Sequence, residues 1–255
     1  MTDPITKLAL ITGGSRGLGR NTAEHLAQAG VGVILTYHSN KAAADEVVAT
    51  IANAGGKAIA LPLDTGDIAS FAKFRDDLAA AIRDEWGRDD IDYLVNNAGH
   101  GEYAPFAETT EAQFDGLVNV HVKGVFFLTQ TLLPMIADNG RIVNISSGLT
   151  RMALPGYAAY AVMKGAVEVM TRYMAKEFGE RGITANTVAP GAIETDFGGG
   201  VVRDNPEINR QLAEVTALGR VGVPDDIGMM IASLLTPGNR WVNAQRIEVS
   251  GGQGL

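Results

Sequence analysis

Cysteine is missing from this 255-residue chain, which excludes disulfide staples and thiolate metal sites. A chain of this length needs neither, because folding can remove roughly 70–75% of its unfolded surface from water. Long apolar runs are missing too, and none approaches the ~20 residues that cross a bilayer as a helix. Met1 to Pro4 lack the basic and apolar regions of a secretory signal, so a cytoplasmic location is expected. Cations are in short supply: 21 Lys and Arg stand against 29 Asp and Glu, a net charge of −8. That balance counts against nucleic acid, anionic membranes and strongly acidic carrier proteins as partners. Of the 4 histidines, His100 and His121 lack metal-like spacing to acids or other histidines. They read as pocket lining and packing respectively, and no metal is expected.

What the chain does have is alternation. Strand-like runs rich in Val, Ile and Leu recur at Leu8–Ile11, Val31–Thr36, Ala58–Pro62, Ile91–Val95, Arg141–Ile145, Ile183–Val188 and Arg246–Val249. Helical stretches lie between them. The pattern predicts an α/β fold: a single Rossmann-type domain over 1–255, with a doubly wound parallel sheet of about seven strands and helices on both faces. Gly55-Gly56 and Asn139-Gly140 read as helix-to-strand punctuation. The stretch 192–216, with Gly198-Gly199-Gly200, departs from the alternation and reads as a substrate-covering lid.

The first strand runs into T-G-G-S-R-G-L-G, Thr12 to Gly19, and then an amphipathic helix. Gly13, Gly17 and Gly19 permit a sharp turn and close approach of a ligand to the backbone. The helix N-terminus behind them offers unpaired N–H groups to a pyrophosphate, and Ser15, Arg16 and Leu18 complete this cofactor turn. Further on, Tyr160 and Lys164 are spelled Y-A-V-M-K, after Ser147 in G-R-I-V-N-I-S-S. Residues i and i+4 share one helix face, so an ammonium lies beside a phenol that is otherwise a poor acid or base at neutral pH. Tyr157 has only Ala161 at that spacing and is the weaker candidate.

With G-x-x-x-G-x-G in the turn, Asn96-Asn97-Ala98-Gly99, and Pro190-Gly191 followed by Thr195, the chain resembles the classical short-chain dehydrogenases/reductases over almost its whole length. The resemblance implies hydride transfer between a nicotinamide and a carbonyl or carbinol carbon. It makes Tyr160 the general acid/base, Lys164 the group that lowers the phenol pKa and holds the nicotinamide ribose, and Ser147 the residue that binds the substrate oxygen. Asn119 becomes the helix asparagine that holds backbone and a proton-relaying water. It further assigns Asp64 and Thr65 to the adenine, Asn97, Ala98 and Gly99 to the adenosine ribose side, and Pro190, Gly191, Ile193 and Thr195 to the nicotinamide.

NAD enzymes of this class commonly end the second strand with an acid that binds the ribose diol. Tyr37 stands there instead, with Arg16, His38, Ser39, Asn40 and Lys41 as donors for a 2′-phosphate. NADP(H) is therefore favoured, and NAD(H) stays open. The substrate pocket reads, by position, as His100, Tyr103, Leu149, Met152, Tyr157 and Phe197, joined by Glu102, Arg151, Ala192 and Val201. The leading expectation is an NADPH-dependent ketone reductase or alcohol dehydrogenase acting on a small molecule. The alternative is a 3-oxoacyl-carrier-protein reductase, for which Arg181 matches one docking cation while Asp138 replaces the other. A catalytically dead dinucleotide sensor is a remote third. The resemblance also implies a homotetramer paired through Asp225 to Leu255, and Met229-Met230-Ile231-Ala232 reads as a buried face there.

Overall fold

The computed structural model describes residues 7–255; the leader reading of Met1 to Pro4 lies outside them. The strands are β1 (Leu8–Ile11), β2 (Gly32–Tyr37), β3 (Ala58–Pro62), β4 (Ile91–Asn96), β5 (Ile136–Ile145), β6 (Thr184–Pro190) and β7 (Arg246–Val249). They form one 7-stranded sheet in the order β3-β2-β1-β4-β5-β6-β7, and every pairing is parallel. Strand order reverses between β1 and β4, and it is beyond the carboxyl ends of strands at such a switch that open α/β sheets bind ligands.

The helices are α1 (Gly17–Gln28), α2 (Lys41–Asn53), α3 (Phe71–Trp86), α4 (Glu111–Leu117), α5 (Val125–Leu132), α6 (Ala158–Glu177), α7 (Val201–Asp204), α8 (Pro206–Glu214) and α9 (Pro224–Leu235). A π-helical stretch, Val118–Gly124, joins α4 to α5. Successive side chains of a strand point to opposite faces, and β1 shows the result. Ala9 and Ile11 enter a core built with α1, α2 and α9, whereas Leu8 and Leu10 enter a second core built with α3, α5 and α6. The near-continuous apolar runs of the sequence are therefore strands buried on both faces.

Two readings of the sequence are corrected. Asn139-Gly140 does not precede β5 but lies inside its span. Asn139 adopts a left-handed φ of 63°, and the register with β4 shifts between Ile91 and Tyr93, so the turn is taken up as an irregularity of the strand. The apolar run of α9 faces inward: Ile231 is 0% and Ala232 8% exposed within the chain's own core, while Met229 is 56% exposed. It carries no independent argument for a subunit interface.

Candidate active site

The loops after β1 and β4 are stitched together at the switch. Thr12 Oγ1 accepts from the amides of Asn97 and Ala98 at 3.0 and 2.9 Å. Asn97 Nδ2 donates back to the carbonyls of Thr12 and Gly13. Gly19 is held so tightly that a Cβ there would lie 2.3 Å from the Gly13 oxygen. Gly13 and Gly17 take φ of 64° and 55°, and α1 starts at Gly17 with no side chain capping its N-terminus. Its first amides remain available to an anion. Arg16 is exposed beside this end and Ser15 half-buried, while Leu18 packs on the core.

Tyr37 closes β2 against Pro62, and His38 and Ser39 follow it at the surface. His38 Nε2 stands 3.5 Å from Asp64 Oδ2, and the other Asp64 oxygen accepts from Gly66 N. Lys41 is turned away, bonded to Asp45 one helical turn on. From the opposite side, Gly191 N donates to Val249 O and Ile193 bridges to Gly222. Thr195, following Pro190 and Gly191 at the end of β6, lies across from Gly17. Thr65 abuts the π-helical stretch, where a Cβ on Gly124 would lie 2.3 Å from its carbonyl oxygen.

Tyr160 and Lys164 lie on the buried face of α6, 6% and 5% exposed. Ser147, whose Oγ accepts from Leu149 N at 3.2 Å, acts on the Tyr160 hydroxyl to lower its pKa. Lys164 Nζ sits 5.5 Å from the Tyr160 ring centroid and donates to the Ile145 carbonyl at 2.9 Å. Burial raises the phenol pKa, and only Ser147 opposes it. Burial also pushes the Lys164 ammonium down to about 7. The expected depression of the phenol by Lys164 is thus not what this arrangement gives. Desolvation outweighs a cation that is itself weakened and turned towards a carbonyl. A buried phenol that burial keeps protonated is suited to giving a proton away.

Beneath the pair runs a buried polar chain. Asn96 Nδ2 donates to Asn144 and Thr129, Asn144 donates to Thr171, and Thr187 bonds Thr171. Asn96 is therefore a tie between strand ends. Its fully partnered groups fix β4, β5, β6 and α6 relative to one another.

The comparisons with known proteins agree with this geometry. A family model described as Enoyl-(Acyl carrier protein) reductase matches residues 13–253. The chain belongs to the short-chain dehydrogenase/reductase family. Among solved structures it is similar to the promiscuous reductase LugOII, which catalyses keto-reduction at C1 during lugdunomycin biosynthesis: 40% identity, TM-score 0.94, covering 98% of this chain and 99% of that one. The angucycline C-6 ketoreductase LanV, solved with bound NADP, shares 36% identity with a TM-score of 0.92 over 97% of this chain and 95% of its own. The hydroxynaphthalene reductase-like protein Arp2 of Metarhizium brunneum is 36% identical over 257 residues, 96% of this chain and 94% of the relative.

In this short-chain dehydrogenase/reductase the wall around Tyr160 is aromatic. Phe197 lies 5.7 Å from the Tyr160 ring and packs on Gly101, where a Cβ would meet it at 2.7 Å. Tyr103 stacks edge-on with Tyr157 at 5.5 Å and lies on Gly156. Leu149 packs with Tyr160 and Met163, and Met152 touches Gly148 and Gly254. His100 is exposed at the mouth. Arg151 leaves the pocket to bind Glu248 and the carbonyls of Gln253 and Gly254.

Asn119 is half-buried, and its side chain accepts from Lys123 at 3.0 Å. The side chain brought against Tyr160 from this stretch is His121, with ring centroids 5.4 Å apart. A π-helical turn shifts which residues face inward, so helical spacing gave no warning. The available signal was a lone imidazole among valines.

Among the described residues no helix is long and apolar enough to cross a membrane, and no cluster of His, Asp or Glu is arranged to hold a metal.

Proposed function

We propose that this chain is an NADPH-dependent reductase of small carbonyl compounds, with ketones on fused aromatic rings as its substrate class. The observation that carries the reading is a buried Tyr160 beside Ser147, with Lys164 one helical turn away and Phe197 5.7 Å from its ring. The printed activities of LugOII and LanV support the ketone. NADP in LanV, and the absence of a carboxylate at the end of β2, support the cofactor. The glycine cradle fits a dinucleotide: open amides at α1 face an anion, and Arg16, His38 and Ser39 offer donors to a 2′-phosphate.

NADPH supplies the hydride that reduces the carbonyl carbon. Ser147 holds the carbonyl oxygen by a hydrogen bond. Tyr160 gives its hydroxyl proton to that oxygen, and the C=O bond becomes C–OH. Lys164, as ammonium, steadies the phenolate left behind until a proton returns from solvent, and it holds the cofactor ribose. Asn97 to Gly99 and Pro190 to Thr195 form the two sides of the cradle, with Asp64 and Thr65 at the adenine end. The stretch 192–216 serves as the lid: Phe197 covers Tyr160, and Gly198, Gly199 and Gly200, with φ of 61°, 76° and 79°, supply the hinge.

A carrier-linked substrate is disfavoured by a specific contact. Arg181, the candidate docking cation, is bonded to Asp138 at 2.8 Å and to the carbonyls of Leu133 and Ile136. We also propose a homotetramer in the cytoplasm, with the free edge of β7 on its interface; light scattering at micromolar concentration would return a monomer if this assembly is wrong. The function is tested by following NADPH oxidation with naphthol-type ketones, simple ketones and carrier-linked 3-oxoacyl thioesters. The expected order of kcat/KM places the fused aromatic ketones first. A preference of tenfold or more for the carrier-linked thioester would overturn the reading.

A further inference from the structure

His121 is a buried ionisable side chain beside the catalytic pair that the chemistry above leaves without a task. It is 1% exposed, and its ring stands at 90° to that of Tyr160. Gly99 makes room for it: a Cβ there would lie 2.5 Å from Cε1. The two ring nitrogens have different fates. Nε2 is 2.8 Å from the His100 carbonyl oxygen, and a carbonyl can only accept, so Nε2 carries the proton. Burial, with the Lys164 and His100 charges secondary, holds the ring neutral, its pKa pushed down to about 2. Nδ1 is then a bare lone pair. It is buried and has no hydrogen-bond partner among the described residues. Such atoms are rare in folded proteins, because they surrender water and receive nothing in return. A phenylalanine would fill the same space without that cost.

The Lys164 charge acts on this imidazole, and both side chains lie against the Tyr160 ring, at 5.5 and 5.4 Å. An ammonium has three N–H bonds, and one of those on Lys164 goes to the Ile145 carbonyl. The ionisable groups that bear on the imidazole are Lys164 and Tyr160 from α6 and His100 from the loop after β4; no carboxylate is among them.

We propose that His121 is a positioning residue for the catalytic pair: its Nδ1 lone pair accepts a hydrogen bond from one water that the Lys164 ammonium also holds, while its Nε2–H pins the loop that carries His100. The proposal rests on the chemistry assigned above to Tyr160 and Lys164. Its consequence is a sign. An acceptor stabilises the charged form of a lysine that burial has already weakened, so removing the acceptor makes Lys164 lose its proton at lower pH.

Three variants separate the two nitrogens. His121→Asn keeps a polar atom at the Nδ1 position, His121→Gln keeps one at the Nε2 position, and His121→Phe keeps only the shape. The readout is the pH profile of kcat/KM for ketone reduction with NADPH, with KM measured separately. Wild-type activity should fall as pH rises through the titration of Lys164. In the Gln and Phe variants that limb moves about one unit towards acid, an about fivefold loss at pH 7, with KM for NADPH changed less than about twofold. The Asn variant keeps the limb in place.

A second readout does not depend on turnover. In the cofactor-free wild type, 15N-labelled histidine spectra should show His121 as the Nε2–H tautomer with a hydrogen-bonded Nδ1, and Lys164→Met should abolish that bond's shift. An unmoved limb in the Gln and Phe variants, an equal movement in all three, or an Nδ1–H tautomer overturns the proposal. A normal Gln variant beside an impaired Asn variant overturns it as well, and confines the residue to anchoring the loop. Tyr160→Phe is run alongside. Retained turnover there defeats the underlying chemistry, whereas an inactive Tyr160→Phe beside wild-type-like His121 variants defeats this inference alone.

Discussion

The centre around Tyr160 and the edge around Arg16 obey different rules. At the centre, Tyr160, Lys164 and His121 are 6%, 5% and 1% exposed, and burial dictates which of them holds a proton. At the edge, the side chain of His38 is 73% exposed beside Asp64, and Lys41 is already committed to Asp45. Groups there act through charge and hydrogen bonds in water, which salt screens. On the proposed function, the contrast separates two tasks: chemistry set by desolvation and fixed geometry, and cofactor choice set by replaceable donors on a solvated rim.

Substitutions can sharpen this contrast, beginning where the effect is largest. Lys164→Ala should lower kcat by ~10²-fold or more, the scale of a positioned acid–base group, and also weaken NADPH binding. A pure turnover defect would contradict its dual role. The sign of the pH effect follows from the lowered lysine pKa: the ammonium is present below about 7, so ketone reduction should decline as pH rises through that value. A flat profile from pH 6 to 8 would break the link between burial and protonation.

Gly19→Ala comes next, because its Cβ would meet the Gly13 carbonyl and Asn97 Nδ2 at 2.3 and 2.5 Å. Overpacking of this kind costs roughly 1–3 kcal/mol, to be read as weaker NADPH binding by calorimetry and as a lower Tm. The smallest effect is at the rim. Arg16→Ala should cut the preference for NADPH over NADH by about tenfold, one charge-assisted hydrogen bond, and the lost portion should be the salt-sensitive one. An unchanged preference would remove Arg16 from phosphate recognition.

Much of the fold was legible because its signals are local. Apolar runs mark the strands, with ends moved by a residue or two, as at Asn96 and Pro190, except in β5, which begins at Ile136 rather than Arg141. The glycine turn announces itself by spacing, and Tyr160 with Lys164 by a helical repeat. What stayed hidden depends on the packed molecule. Spacing showed a cation near a phenol but not that burial would dominate both. The π-helical stretch brought His121 inward against Tyr160, against the period on which helix reading rests. The run in α9 could not reveal whether it faced this chain's core or another chain, since both faces are written in the same residues.

The most direct test of the account is Tyr160→Phe, which removes one oxygen atom and leaves the packing. NADPH affinity is measured by calorimetry and turnover by NADPH oxidation with a fused aromatic ketone. The account predicts cofactor affinity within about twofold of wild type and kcat lowered by at least ~10²-fold. Turnover close to wild type would contradict it and take the proton donor away from Tyr160.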